Sequence, residues 1–166
     1  MEREIKGTVF KFGDNINTDI ISPPQYIELT VEEASVHAME AVDPTFTQRF
    51  QPGDIIVGGN NFGSGSSRET FPLALRYLGA SAVVAKFFAR IFYRNAINIG
   101  LPITECREAA EKIQEGDQIF VDFKQGLIKN ESRNEVYTAN PFPPFIEDII
   151  EKGGLLASIK AKAKTE

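Results

Sequence analysis

GGNNFGSGSSRE, residues 58–69, is the stretch from which the rest of the chain can be read. It follows an apolar run, DIIVG at 54–58, and leads into a helical pattern over 68–78. A strand, a glycine-rich turn and a helix start, in that order, point backbone N–H groups at one place, a geometry suited to an anion. Glycine permits positive φ and lets a ligand approach the backbone closely. Ser66, Ser67 and Arg68 stand where those N–H groups converge. A hydroxyl beside a guanidinium in such a nest is placed to act as nucleophile or base. The same residues also fit a plain Gly/Ser surface loop, with Ser66 or Ser67 capping the helix and Glu69 in its first turn. The loop is not a Walker loop, because no Lys-Ser/Thr follows its last glycine. Nor do Gly58, Gly63 and Gly65 give the dinucleotide spacing, and no acidic residue ends a second strand at the usual offset.

Downstream, Phe71, Leu75 and Leu78 form an apolar stripe at helical spacing, with Pro72 early enough to be tolerated and Gly79 as the stop. SAVVAK at 81–86 reads as a short buried strand. Residues 87–99 read as a helix, 101–106 as a strand and 108–113 as a short helix. Alternation of strands and helices over 54–106 predicts parallel pairing with right-handed crossovers. After Gly116-Asp117 the pattern changes. Residues 118–123, 127–129 and 135–138 alternate between turn signals and predict antiparallel hairpins. A helix over 145–152 follows, and 155–166 closes the chain as a short charged segment with a frayed end. One domain of α/β class, 1–166, is expected.

Upstream, residues 4–12 alternate and read as a strand. Asn17-Thr18-Asp19-Ile20-Ile21 suggests a polar rim on a short strand, although Asp19 equally fits a cap or a turn. Pro23-Pro24 fixes an extended loop. Thr30 with Glu33 makes a capping box for a helix over 31–39. His37 falls in that helix and reads as a surface or half-buried residue, since no partner lies at metal-ligand spacing.

Of the 166 residues, 18 are basic and 23 acidic, for a net charge of -5, so nucleic acid is a poor partner and positive field must be local. One cysteine leaves no internal disulfide and no cluster or zinc site built from this chain alone. One histidine leaves no Ser-His pair near Ser66 for a hydrolase triad. No run has the make-up of a secretion signal or the length of a membrane span, so a cytoplasmic location is expected. Within 87–99, Arg90, Arg94 and Asn98 share one helix face, with Asn95 beside them. That face is either solvated, turned to a partner, or buried under the Gly/Ser loop.

GNNFGSGSSRE followed by AVVAKFFARIFYRNAINIGLP, with NTDII at 17–21, resembles the small subunit of the aconitase-type hydro-lyases, in particular the isopropylmalate and homoaconitate isomerases. The likeness spans roughly residues 5–130. It implies a swivelling β/β/α domain of three layers, with a parallel sheet and a smaller antiparallel sheet. It implies dehydration and rehydration of a hydroxy acid, carried out with a large subunit that holds a [4Fe–4S] cluster on three cysteines. No cofactor or metal is then bound by this chain itself, and Cys106 becomes a buried strand-end residue. By the same resemblance Ser66 is the base that takes the proton α to a carboxylate, helped by backbone N–H groups and Arg68. Ser67 and Arg68 contact substrate carboxylates, Asp19 lies at the rim and orients Arg68, and Asn61, Gly63 and Gly65 shape the loop.

The segment YIELT at 26–30 departs from one branch of the relatives. Homoaconitase-like members carry an arginine two residues after the tyrosine, where this chain has Glu28. An acid facing a substrate carboxylate is repulsive, and strongly so when desolvated. The resemblance implies that this segment reads the variable substituent of the substrate, which makes Glu28 and Leu29 substrate-binding positions. With Ile27 and Leu29 lining an apolar pocket and Glu28 facing out, the expected substrate is an alkyl-substituted malate. Isopropylmalate, as in leucine biosynthesis, leads; dimethylmalate, citramalate and homoaconitate are the alternatives. A non-catalytic anion-binding domain is the alternative of another class.

Overall fold

The computed structural model describes residues 4–66 and 70–165, so Ser67, Arg68 and Glu69 lie outside the described residues. The strands are β1 Glu4–Lys11, β2 Ile55–Gly58, β3 Ala82–Ala85, β4 Ile103–Glu105, β5 Gln118–Asp122, β6 Leu127–Asn130 and β7 Glu135–Thr138. The helices are α1 Thr18–Ile21, α2 Val31–Ser35, α3 Phe46–Arg49, α4 Thr70–Tyr77, α5 Arg90–Asn98, α6 Arg107–Lys112, α7 Pro144–Glu151 and α8 Leu155–Ala163. No helix among the described residues is long and apolar enough to cross a membrane.

One sheet runs β4-β3-β2-β1-β5-β6-β7, and β1 joins its two halves. The second part of β1 pairs parallel with β2, from Val9 opposite Ile55 to Lys11 opposite Val57. Its first part pairs antiparallel with β5, from Glu4 opposite Asp122 to Thr8 opposite Gln118. The switch needs a close approach at Gly7, where a Cβ would stand 2.2 Å from the Gly53 carbonyl oxygen. The parallel half is apolar on both faces because both are covered. Ile56, Val83, Ala85 and Ile103 pack with the helices in one core. Ile55, Val57, Ala82 and Val84 pack in a second core with Ile119, Val121, Ile128 and Tyr137 of the antiparallel half and with α6. The layers are therefore helices, parallel strands and antiparallel strands, as the family resemblance implied, and the parallel and antiparallel segments fall where the alternation of patterns along the chain put them.

Several boundaries differ from expectation. Residues 17–21 form the helical turn α1 and not a strand. Asn17 Oδ1 accepts the Ile20 N–H at 2.9 Å, a cap that outweighs the strand propensity of the two isoleucines. The helix after Thr30 stops at Ser35, and turns carry the chain through a positive φ at Met39. Its capping box is as expected, with the Glu33 N–H on Thr30 Oγ1 at 3.2 Å and the Thr30 N–H on Glu33 Oε2 at 3.0 Å. The closing charged segment is the helix α8, whose Ser158 donates to Asp148 Oδ2 of α7 at 2.7 Å.

Asp117 ties the connection before β5 to β6 and the turn that follows it. Its Oδ2 accepts from the Gln114 N–H at 2.9 Å, Asn130 Nδ2 at 2.7 Å and Arg133 Nε at 2.9 Å. Burial pushes this carboxyl up, but the three donors together outweigh burial and hold it below the usual carboxylate range. A folded-state pKa below the unfolded one means stabilisation that is complete above about pH 4 and lost as pH falls through the folded value. Asp117→Ala is expected to cost about 2 kcal/mol at neutral pH by leaving those donors unpaired. In urea titrations the gap from the parent chain should narrow as the pH drops below about 4. A gap independent of pH would assign the loss to packing.

Candidate active site

The Gly/Ser loop runs from the end of β2 to the start of α4, at the carboxyl edge of the parallel strands, where open α/β sheets present their ligand sites. It is held from two sides. On one side the Gly59 N–H bonds the Gly13 carbonyl at 3.0 Å, the Asn15 N–H bonds the Asn60 carbonyl at 2.9 Å, and the Gly63 N–H bonds the Ile16 carbonyl at 2.7 Å. On the other, Phe62 bridges Phe88, its N–H on the Phe87 carbonyl at 3.0 Å. Phe62 is fully buried, with its ring edge-on to Phe88 and Phe92.

Asn61 and Gly63 take positive φ, 56° and 83°. At Gly63 the requirement is also spatial, since a Cβ there would lie 2.1 Å from Cγ of Phe92. Gly65, at φ 110°, passes so close to Thr18 that a Cβ would be 2.7 Å from its hydroxyl oxygen. The loop-shaping residues named from the sequence therefore sit where their backbone conformation or the available space is special.

Ser66 is exposed and lines a cavity of about 210 Å³. Asp19, Ser22 and Thr70 share its polar rim. Tyr26, Ile27 and Leu29 form its apolar wall, and the buried Ala34, Phe71 and Ala74 lie beneath, where α2 packs on α4. So Ser66, Asp19 and Leu29 are brought together. Glu28 is exposed and is not among the lining residues, although both of its neighbours are. Tyr26 is backed by His37, ring on ring at 3.7 Å, and His37 Nδ1 lies 2.9 Å from Glu40 Oε2. His37 is thus a half-buried prop for the cavity wall.

Two details depart from the reading of the loop as an open anion nest. The Gly63 N–H is engaged by Ile16 and the Ser66 N–H by Thr18 Oγ1 at 3.0 Å, so neither is free to receive an anion. Thr18, buried and unassigned on sequence grounds, is the residue of the 17–21 run that touches the loop. Its signal was the N-capped turn, which places its side chain inward.

The two arginines of α5 do not lie under this loop. Phe88 and Phe92 face it, while Arg90 and Arg94 are exposed in a separate groove of about 720 Å³ with Phe87, Glu105 and Phe142. In that groove Tyr93 has its hydroxyl pushed up in pKa by burial and by the Glu105 charge. Cys106 is buried just past β4, its Sγ 3.6 Å from the Thr138 carbonyl oxygen. No three His, Cys, Asp or Glu residues gather at metal-binding distance among the described residues.

Comparison with known proteins agrees with this architecture. Residues 2–108 match the family model described as the aconitase C-terminal domain. A 3-isopropylmalate dehydratase small subunit from Brachyspira hyodysenteriae is 54% identical over 156 residues, covering 93% of this chain and 96% of that one. One from Halothermothrix orenii is 50% identical over 162 residues, covering 97% and 98%. A crystal structure of 3-isopropylmalate dehydratase from Methanocaldococcus jannaschii superposes with a TM-score of 0.90 at 39% identity, covering 98% of this chain and 96% of that one. With a family model over most of its length and full-length relatives at half identity, the chain belongs to the family of the aconitase C-terminal domain and the 3-isopropylmalate dehydratase small subunits.

Proposed function

We propose that this chain is the small subunit of a hydro-lyase that interconverts 3-isopropylmalate and 2-isopropylmalate in leucine biosynthesis, working with a large iron–sulfur subunit. The observation that carries the substrate reading is the cavity that joins Ser66 and Asp19 to an apolar wall of Ile27 and Leu29. Its volume of about 210 Å³ is several times a water's share of about 30 Å³, room for a branched alkyl group. Apolar surface there favours an isopropyl group and leaves an extra carboxylate without a partner.

In this reading Ser66 takes the proton from the carbon α to a carboxylate. Ser67 and Arg68 hold the carboxylates, Arg68 through a two-pronged contact. Asp19 orients Arg68 from the rim. Arg68 also favours the negative charge that a serine base must carry, and its share is larger because two loop N–H groups are already engaged. A [4Fe–4S] cluster on the large subunit supplies, when bound, a Lewis acid for the hydroxyl that departs from the neighbouring carbon. Loss of proton and hydroxyl gives the alkene, and water added in the opposite sense gives the isomer.

The test is to co-express the chain with the large subunit and follow the unsaturated intermediate by ultraviolet absorbance over a panel of malates. The expected result is a kcat/KM for 3-isopropylmalate well above that for homoaconitate or citrate. A preference for the tricarboxylates overturns the alkyl reading. No turnover of any of them in an iron-loaded complex overturns the enzyme assignment in favour of a non-catalytic anion-binding domain.

A further inference from the structure

We propose that Thr18 is a positioning residue that pins the Gly/Ser loop on both sides of Gly65 and so sets where Ser66 stands. The Thr18 N–H bonds the Ser64 carbonyl at 2.8 Å. The Ser66 N–H bonds Thr18 Oγ1 at 3.0 Å. Residues 64–66 and Thr18 therefore form a closed ring, and Gly65 spans it at φ 110° with no room for a Cβ beside the threonine hydroxyl.

The pin is rigidly held. Thr18 is 2% exposed, its backbone carbonyl accepts the Ser22 N–H at 2.9 Å, and Asn17 caps the turn that carries it. A β-branched side chain has few rotamers, so the hydroxyl stays where the turn places it. The same turn carries Asp19 at the rim of the cavity. Thr18 thus couples the register of α1 to that of the loop, and it fixes the distance between Asp19 and Ser66 without touching substrate.

The inference rests on Ser66 being the base only for its effect on turnover; the pin itself is a statement about the loop. Thr18→Val keeps the shape and removes the acceptor, whereas Thr18→Ser keeps the acceptor. In the two-subunit enzyme Thr18→Val is expected to lower kcat by about 10- to 100-fold, with KM for 3-isopropylmalate little changed, because a small misplacement of a reacting group costs that much. Thr18→Ser should restore most of the rate. In the isolated chain, hydrogen exchange at the Ser66 amide should speed up in Thr18→Val while β2 and β3 amides keep their protection. Equal impairment of the serine and valine variants, or unchanged Ser66 exchange in Thr18→Val, overturns the proposal. Faster exchange in Thr18→Val together with a fully active Ser66→Ala enzyme would uphold the pin and remove Ser66 from the base role.

Discussion

Ser66→Ala in the assembled two-subunit enzyme is expected to lower kcat on the order of 1,000-fold, the range for loss of a general base, or about 4 kcal/mol of barrier. The effect should fall on turnover and not on folding. Ser66 is exposed, and its structural contact is made by its backbone N–H to Thr18, which alanine retains. KM should change little, since the carboxylate contacts lie with Ser67 and Arg68 in the proposed arrangement. Steady-state kinetics and a thermal melt of the same preparation separate the two readouts. A fall of less than tenfold in kcat would take the proton-abstracting role away from this hydroxyl.

Gly63→Ala should damage folding and function together. A non-glycine residue at φ 83° costs about 1–2 kcal/mol. Its Cβ would also lie 2.1 Å from Cγ and 2.5 Å from Cβ of Phe92, so a buried ring on α5 must move. Overpacking of that kind adds about 1–3 kcal/mol. The sum, roughly 2–5 kcal/mol, is a large share of the stability of an ordinary domain. Moving Phe92 also disturbs its contact with Phe62, the buried anchor of the loop. Urea denaturation should show the loss, and activity should fall even well below the melting temperature. A variant as stable as the parent would mean that the loop and α5 can separate without cost. In a double-mutant cycle, Gly63→Ala should cost less on a Phe92→Ala background than alone, because the ring-carbon part of the collision is gone while the 2.5 Å approach to the Cβ at 92 stays.

The outline of the architecture was legible because each local pattern agreed with the layer it joins. IIVG and AVVA are apolar at every position, and both strands are buried on both faces. QIFVD, LIKN and EVYT each mix buried with more exposed positions, and they form the antiparallel half. At residues 17–21, where expectation and structure parted, a local hydrogen bond had overridden residue propensity. Asn17 turned two isoleucines into a helical turn, and the chain past Ser35 left the helix although no proline or glycine marked the place. The polar residues of α5 were ambiguous because spacing says which residues share a face but not what that face meets.

The glycines, serines and arginine of residues 58–69 and the apolar Ile27 and Leu29 can be picked out along the chain, since backbone freedom, charge and hydrophobicity are properties of each residue type. That Ser66, Asp19 and Leu29 surround one cavity, that Glu28 stays off it, and that a buried threonine holds the loop are consequences of packing α1 and α2 against α4. Such contacts join segments far apart along the chain. No local pattern encodes them, because it takes the fully folded core to bring the partners within reach.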